Sequence, residues 1–159
     1  MRNFFNAPAL EAEQSFDFTH PYAFLGGTVD STWRNKLIPK LTCGFFNPVV
    51  ANWTPDDRKR EDQAKAQASI EVYAITPKHT GFYAIAEMTK AVCGLPERKV
   101  ALLFLEDDDG VTFDEHQAAS ITAIRELLSV YPNATAFDDI DQLASWLNTE
   151  LANGDQGTA

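Results

Sequence analysis

Five short apolar runs, Tyr22 to Leu25, Cys43 to Phe46, Ile70 to Thr76, Val100 to Leu105 and Ala134 to Phe137, are each separated from the next by a stretch carrying helical signals. A short run that is apolar on both of its alternating faces reads as a strand covered above and below. Strands that alternate with helices are joined by right-handed crossovers, so they lie parallel. The pattern predicts an α/β fold: a doubly wound parallel sheet of five strands, with Leu25, Ile75, Leu103 and Phe104 in its core.

The helical stretches have their own punctuation. Gly26-Gly27 closes the first run in a tight turn, and Ser31 or Thr32 can cap a helix through Leu41 that Pro39 shortens or kinks. Thr54-Pro55-Asp56-Asp57 joins an N-cap, a proline in the first helical position and early acids, so it opens a helix to about Ala68 that is polar nearly all round. A third helix is expected from about Gly81 to Val92. Thr112 and Glu115 have capping-box spacing ahead of a helix with Ile121, Ile124, Leu128 and Tyr131 on one face. Asp138 can cap the last helix, which aligns Ile140, Leu143, Leu147 and Leu151.

A chain of 159 residues fits one domain. Residues 1–20 read as an arm in which Phe4, Phe5, Phe16 and Phe18 mix with acids, residues 21–152 as the domain, and residues 153–159 as a loose tail. The arm has no obvious place in a sheet and packs on the domain or on a second subunit, or is frayed. A net charge of −10 argues against DNA or RNA, whose phosphates need clustered Lys and Arg, while still allowing a small nucleotide held by backbone N–H groups. Cys43 and Cys93 form no CxxC pair and read as buried free thiols. Glu11 and Glu13 interrupt any leader-like apolar run, and no stretch approaches spanning length, which places the chain in the cytoplasm, away from membranes. His20, His79 and His116 lack metal-ligand spacing, and no GxSxG elbow or Walker loop is present. Neither a metal nor a cofactor is expected.

In a doubly wound sheet the ligand sits beyond the carboxyl ends of the strands, at the switch point of the strand order. That rule selects the loops from Gly26 to Ser31, Asn47 to Trp53, Thr76 to Tyr83 and Glu106 to Asp114. Gly26-Gly27-Thr28 is either a structural turn or a place where a ligand approaches the backbone. The run Glu106-Asp107-Asp108-Asp109 is either a solvated loop or a carboxylate site for substrate or a divalent ion. Glu87 stands in the otherwise apolar Ile85-Ala86-Glu87-Met88, early in a helix that begins at the ligand edge.

Taken together, Phe24-Leu25-Gly26-Gly27-Thr28, Ser31-Thr32-Trp33-Arg34, Phe46-Asn47-Pro48-Val49-Val50 with Trp53-Thr54, Tyr73-Ala74-Ile75-Thr76-Pro77, and Thr80-Gly81-Phe82-Tyr83-Ala84-Ile85-Ala86-Glu87 resemble the nucleoside 2-deoxyribosyltransferase-like family. The resemblance covers roughly Tyr22 to the end of the fourth strand. It implies a flavodoxin-like or Rossmann-like sheet, a homo-oligomer, and chemistry at the N-glycosidic bond of a 2-deoxynucleoside or its monophosphate. It also implies that Glu87 is the nucleophile, attacking the anomeric carbon to give a glycosyl-enzyme that passes the sugar to another base or to water. A carboxylate suits that role because its charge stabilises the oxocarbenium-like transition state.

Three departures accompany the resemblance. The family's first-strand Tyr is Phe24 here, its Asp at the start of the third strand is Ser69, and its Asp ahead of the catalytic helix falls near Gly81. The general acid is therefore unassigned, with Asp30, Asn47, Asn52 and the acidic loop as substitutes. Gly26, Gly27, Thr28, Asp30, Asn47 and Pro48 are expected to shape the sugar or phosphate site, and Trp33, Trp53 or Tyr83 to stack on the base. The alternative is a catalytically inactive nucleotide-binding protein, or an acidic interaction protein, of the same fold.

Overall fold

A computed structural model of the chain describes residues 18–79 and 81–155. The chain runs β1 (Tyr22–Gly27), α1 (Trp33–Leu37), a 3-10 turn (Ile38–Lys40), β2 (Gly44–Phe46), α2 (Pro55–Gln67), β3 (Ile70–Ile75), α3 (Phe82–Gly94) and β4 (Lys99–Phe104). There follow β5 (Asp107–Asp108), β6 (Val111–Thr112), α4 (Glu115–Leu128), β7 (Ala134–Phe137) and α5 (Ile140–Asp155). Five strands form one sheet in the order β2-β1-β3-β4-β7, and every pairing in it is parallel. This is the predicted doubly wound, flavodoxin-like arrangement, with its switch point between β1 and β3.

The apolar runs become strands because both of their faces are covered. On one face Ala23, Leu25, Val72, Ala74, Ala101 and Leu103 pack against Trp33 and Leu37 of α1 and Leu143, Leu147 and Leu151 of α5. On the other, Tyr73, Ile75, Leu102 and Phe104 meet Met88 and Val92 of α3 and Leu128 of α4. Tyr22, Phe24 and Phe46 meet Ala64 of α2 and Ala68 at its C-cap on the same side. Leu25, Ile75, Leu103 and Phe104 are buried as predicted.

Local chemistry explains where the element boundaries moved. Pro39 converts the end of the first helix into the 3-10 turn, since proline cannot supply the N–H of a continuing α-helix. Thr54 and Asp57 make the reciprocal capping box of α2. The box of α4 is Asp114 with Gln117, not Thr112 with Glu115, because residues 111 and 112 are taken up by a hairpin absent from the sequence reading. Asp139, not Asp138, accepts from the Gln142 N–H at the start of α5, and Asp138 faces Arg125. Residues 153–155 continue α5 where a loose tail was expected. Cys43 is partly covered but Cys93 is exposed, against the expectation of two buried thiols. Of the arm, Phe4, Phe5 and Phe16 lie outside the described residues, and Phe18 packs on Phe46 and Tyr22.

The hairpin buries Asp108 completely, and neither carboxylate oxygen finds a hydrogen-bond partner among the described residues. An unsatisfied buried polar group costs about 1–3 kcal/mol. Asp108→Ala is therefore expected to stabilise the fold by about 1 kcal/mol or more, read as a higher urea midpoint at unchanged slope. A lower midpoint would show that the attraction between Asp108 and nearby Lys78 outweighs that cost.

Candidate functional site

The turn after β1 is fastened from within. Arg34, on the first turn of α1, donates to the carbonyls of Leu25 and Thr28, and Trp33 Nε1 donates to the same Thr28 carbonyl at 2.9 Å. Burial pulls the guanidinium of Arg34 down to about 9, against the raising pull of Glu61. Thr28 Oγ1 donates to the Ala74 carbonyl and accepts from the Thr76 N–H, tying β1 to β3. Gly27 has φ +108°, and a Cβ there would stand 2.2 Å from the Ala74 carbonyl oxygen. A Cβ on Gly26 would stand 3.0 Å from the Tyr73 ring. These glycines make room for a neighbouring strand and a core ring. Trp33 is fully buried in the core, so its expected stacking on a base is corrected: its faces are covered by protein.

The loops after β2 and β3 are open by contrast. Asn47 Oδ1 accepts from the Val49 N–H, which folds Asn47-Pro48 into a local turn, and both residues are partly exposed. Trp53, in the loop after β2, and Tyr83, in the first turn of α3, are 57% and 73% exposed and present ring surface to solvent. Phe82, 78% exposed beside Tyr83, does the same and was not singled out from sequence. Asp30 reaches His79 Nε2 at 2.7 Å, linking the β1 and β3 loops across the switch point. Asn52 is exposed.

The acidic run after β4 divides its residues among separate tasks. Asp107 accepts from the Gly110 N–H inside the hairpin, and Asp108 is buried. Asp109 takes hydrogen bonds from Lys36, Lys78 and Thr32, which hold its carboxyl well below the usual carboxylate range. Glu106 lines a recess of about 300 Å³ between β4 and α4, floored by Phe104 and Phe113. That recess lies on the β4 side of the sheet rather than at the β1/β3 switch point.

Glu87 turns toward α2. Its carboxylate is 20% exposed and lies 2.5 Å from Lys65 Nζ, which also faces Glu61 at 3.8 Å. Burial alone would lower the Lys65 ammonium, but its hydrogen bond to Glu87 and the charges of Glu87, Glu61 and Glu71 raise it overall, so Lys65 is a cation here. The ammonium also sits 5.0 Å from the centre of the Phe24 ring, a cation–π contact. Beneath, on β3, the buried Glu71 is satisfied by Arg98 and by the Tyr73 hydroxyl, at 2.8 and 2.7 Å. Burial, then the charge of Glu71, keeps that hydroxyl protonated far above its ordinary range. Arg98 also donates to the carbonyls of Lys65 and Ala66, closing the C-terminus of α2.

Glu61, Lys65, Glu71 and Arg98 were not foreseen. The first two had a signal, since Glu61 and Lys65 are four apart and share one face of α2. Ser69 lies at the opposite edge of the sheet, where its N–H donates to the Tyr22 carbonyl. A side chain there stands at the amino ends of the strands, remote from the loops described above. Among the described residues, no group of three or more His, Cys, Asp or Glu is placed to hold a metal ion. No family model matches the chain, and neither does any curated protein or solved structure.

Proposed function

We propose that the protein cleaves, or transfers at, the N-glycosidic bond of a 2-deoxynucleoside or deoxynucleoside monophosphate, with Glu87 as nucleophile. The observation that carries this reading is the half-buried Glu87 side chain, paired across to Lys65 of α2, on a helix that starts at the ligand edge of β3. An oxocarbenium-like sugar that took the place of the Lys65 ammonium would meet the Glu87 charge in surroundings drier than bulk water, where that charge stabilises it more than water would. Trp53, Phe82 and Tyr83 supply exposed ring faces for the base. The motif resemblance adds the substrate class, and with it a homo-oligomer. None of the described helices is long and apolar enough to cross a membrane.

The Lys65–Glu87 ion pair is also what favours the second reading, a nucleotide-binding module without catalysis in which the pair only joins α2 to α3. Incubation with a panel of 2-deoxynucleosides and their monophosphates, followed by chromatography for free base, separates the two. The catalytic reading expects base release from at least one substrate, and transfer expects that release to respond to added acceptor base. Saturable binding with no release from any of them would establish the second reading.

A further inference from the structure

Glu61 and Glu87 sit at matching depths on two neighbouring helices. Glu61 is six residues into α2 and Glu87 five into α3, so at 1.5 Å per residue they lie about 9 and 7–8 Å below the ligand edge. Helical Cα–Cβ bonds tilt toward the N-terminus, so both side chains leave their helices on the side of that edge. Lys65 stems from one turn deeper than Glu61, and its ammonium hydrogen-bonds Glu87 and faces Glu61 at 3.8 Å. Their oxygens lie 2.5 and 3.8 Å from that ammonium and so stand no more than about 6.3 Å apart, a bound compatible with the separation of about 5–5.5 Å at which paired carboxyls flank an anomeric carbon in retaining glycoside hydrolases; a sugar seated between them takes the place of the ammonium.

We propose that Glu61 is the proton donor and acceptor of this site, working opposite Glu87, an inference that rests on Glu87 being the nucleophile. The two carboxylates are not equivalent. Lys65 is closest to Glu87, and Glu71 is matched by Arg98 and Tyr73, so of these three carboxylates Glu61 has the most distant ion-pair partner. Burial pushes the Glu61 carboxyl up; Lys65 opposes this, Glu87 and Asp62 reinforce it, and Arg34 of α1 opposes it. A carboxyl pushed toward its protonated form, within reach of the same ammonium as Glu87, is suited to give up a proton.

In the first step Glu61 gives its proton to the departing base as the C1′–N bond breaks, the bonding pair leaving with the base, while a Glu87 oxygen forms the ester bond to C1′. In the second, water or an acceptor base attacks C1′ and passes its proton to the Glu61 carboxylate, and the ester pair returns to Glu87. Both carboxyls end as they began.

The test compares wild type, Glu61→Gln and Glu61→Asp on a deoxynucleoside monophosphate and on a 2-deoxyribosyl nitrophenyl ether, whose leaving group needs no proton. General acids contribute about 10²- to 10⁴-fold, so Glu61→Gln is expected to lose at least about a hundredfold on the nucleotide and far less on the ether. It is also expected to lose the alkaline limb of the kcat/KM profile, and Glu61→Asp to recover part of the nucleotide rate. Equal losses on both substrates in a folded variant would make Glu61 a positioning residue and overturn the proposal. Full nucleotide activity in Glu61→Gln would overturn it while leaving Glu87 as nucleophile, whereas a wild type that cleaves neither substrate would overturn both.

Discussion

Gly27→Ala is expected to destabilise the protein by on the order of 3 kcal/mol or more, enough to leave little folded material in a domain of ordinary stability. Gly27 ends β1 at φ +108°, directly opposite Ala74 in the parallel ladder. A methyl group there would stand 2.2 Å from the Ala74 oxygen and 2.4 Å from its nitrogen, both backbone atoms of the central strand. Neither can move without opening the β1–β3 pairing on which the switch point depends. Gly94→Ala is the control: nothing lies within 4 Å of its Cβ position at the end of α3, so the change should be neutral or stabilise by under about 1 kcal/mol. Denaturant melts of the two variants check the contrast. Equal, small effects would show that the β1 turn adapts freely.

Glu87→Gln carries the other large effect. The substitution is nearly isosteric and the side chain is one-fifth exposed, so the fold is expected to survive with circular dichroism unchanged. Base release is expected to fall by at least on the order of a thousandfold, because an amide oxygen neither attacks C1′ nor balances its developing charge. Lys65 would keep Glu61 as a partner, which limits the structural consequences of losing the Glu87 charge. A folded Glu87→Gln protein with wild-type turnover would remove Glu87 from the mechanism.

The sheet was legible because its strands are apolar on both faces and its helices carry caps that act locally. Thr54 and Asp57 need only each other, and the Ala134–Phe137 strand has the bounds that its apolar run marks. The β5–β6 hairpin was not legible. Two-residue strands rich in aspartate have no hydrophobic period, and Asp109 is held there by Lys36 and Lys78, residues far away in sequence.

The site divided in the same way. Glu87 could be placed by its helix and its edge of the sheet, but its partners could not. Lys65 reaches it from a helix that looks uniformly solvated, since only Ala64 of α2 is fully buried. Trp33 misled for the opposite reason: an indole in a loop region reads as a ligand platform until Arg34 and the Thr28 carbonyl are seen to hold it inside the core. Gly26 and Gly27 look the same in sequence whether they admit a ligand or a neighbouring strand, and only the Ala74 and Tyr73 distances decide that they admit the strand.

The most direct test of the account is to trap the glycosyl-enzyme. Wild-type protein mixed with a 2-deoxynucleoside or its monophosphate is quenched in acid within the first turnovers, and the intact mass and peptide map are read by mass spectrometry. A mass increase equal to one deoxyribosyl unit, or its phosphate, located on the peptide containing Glu87 and missing in Glu87→Gln, is the predicted result. Base release with no such adduct, or an adduct on another residue, would contradict the assignment of Glu87 as the nucleophile.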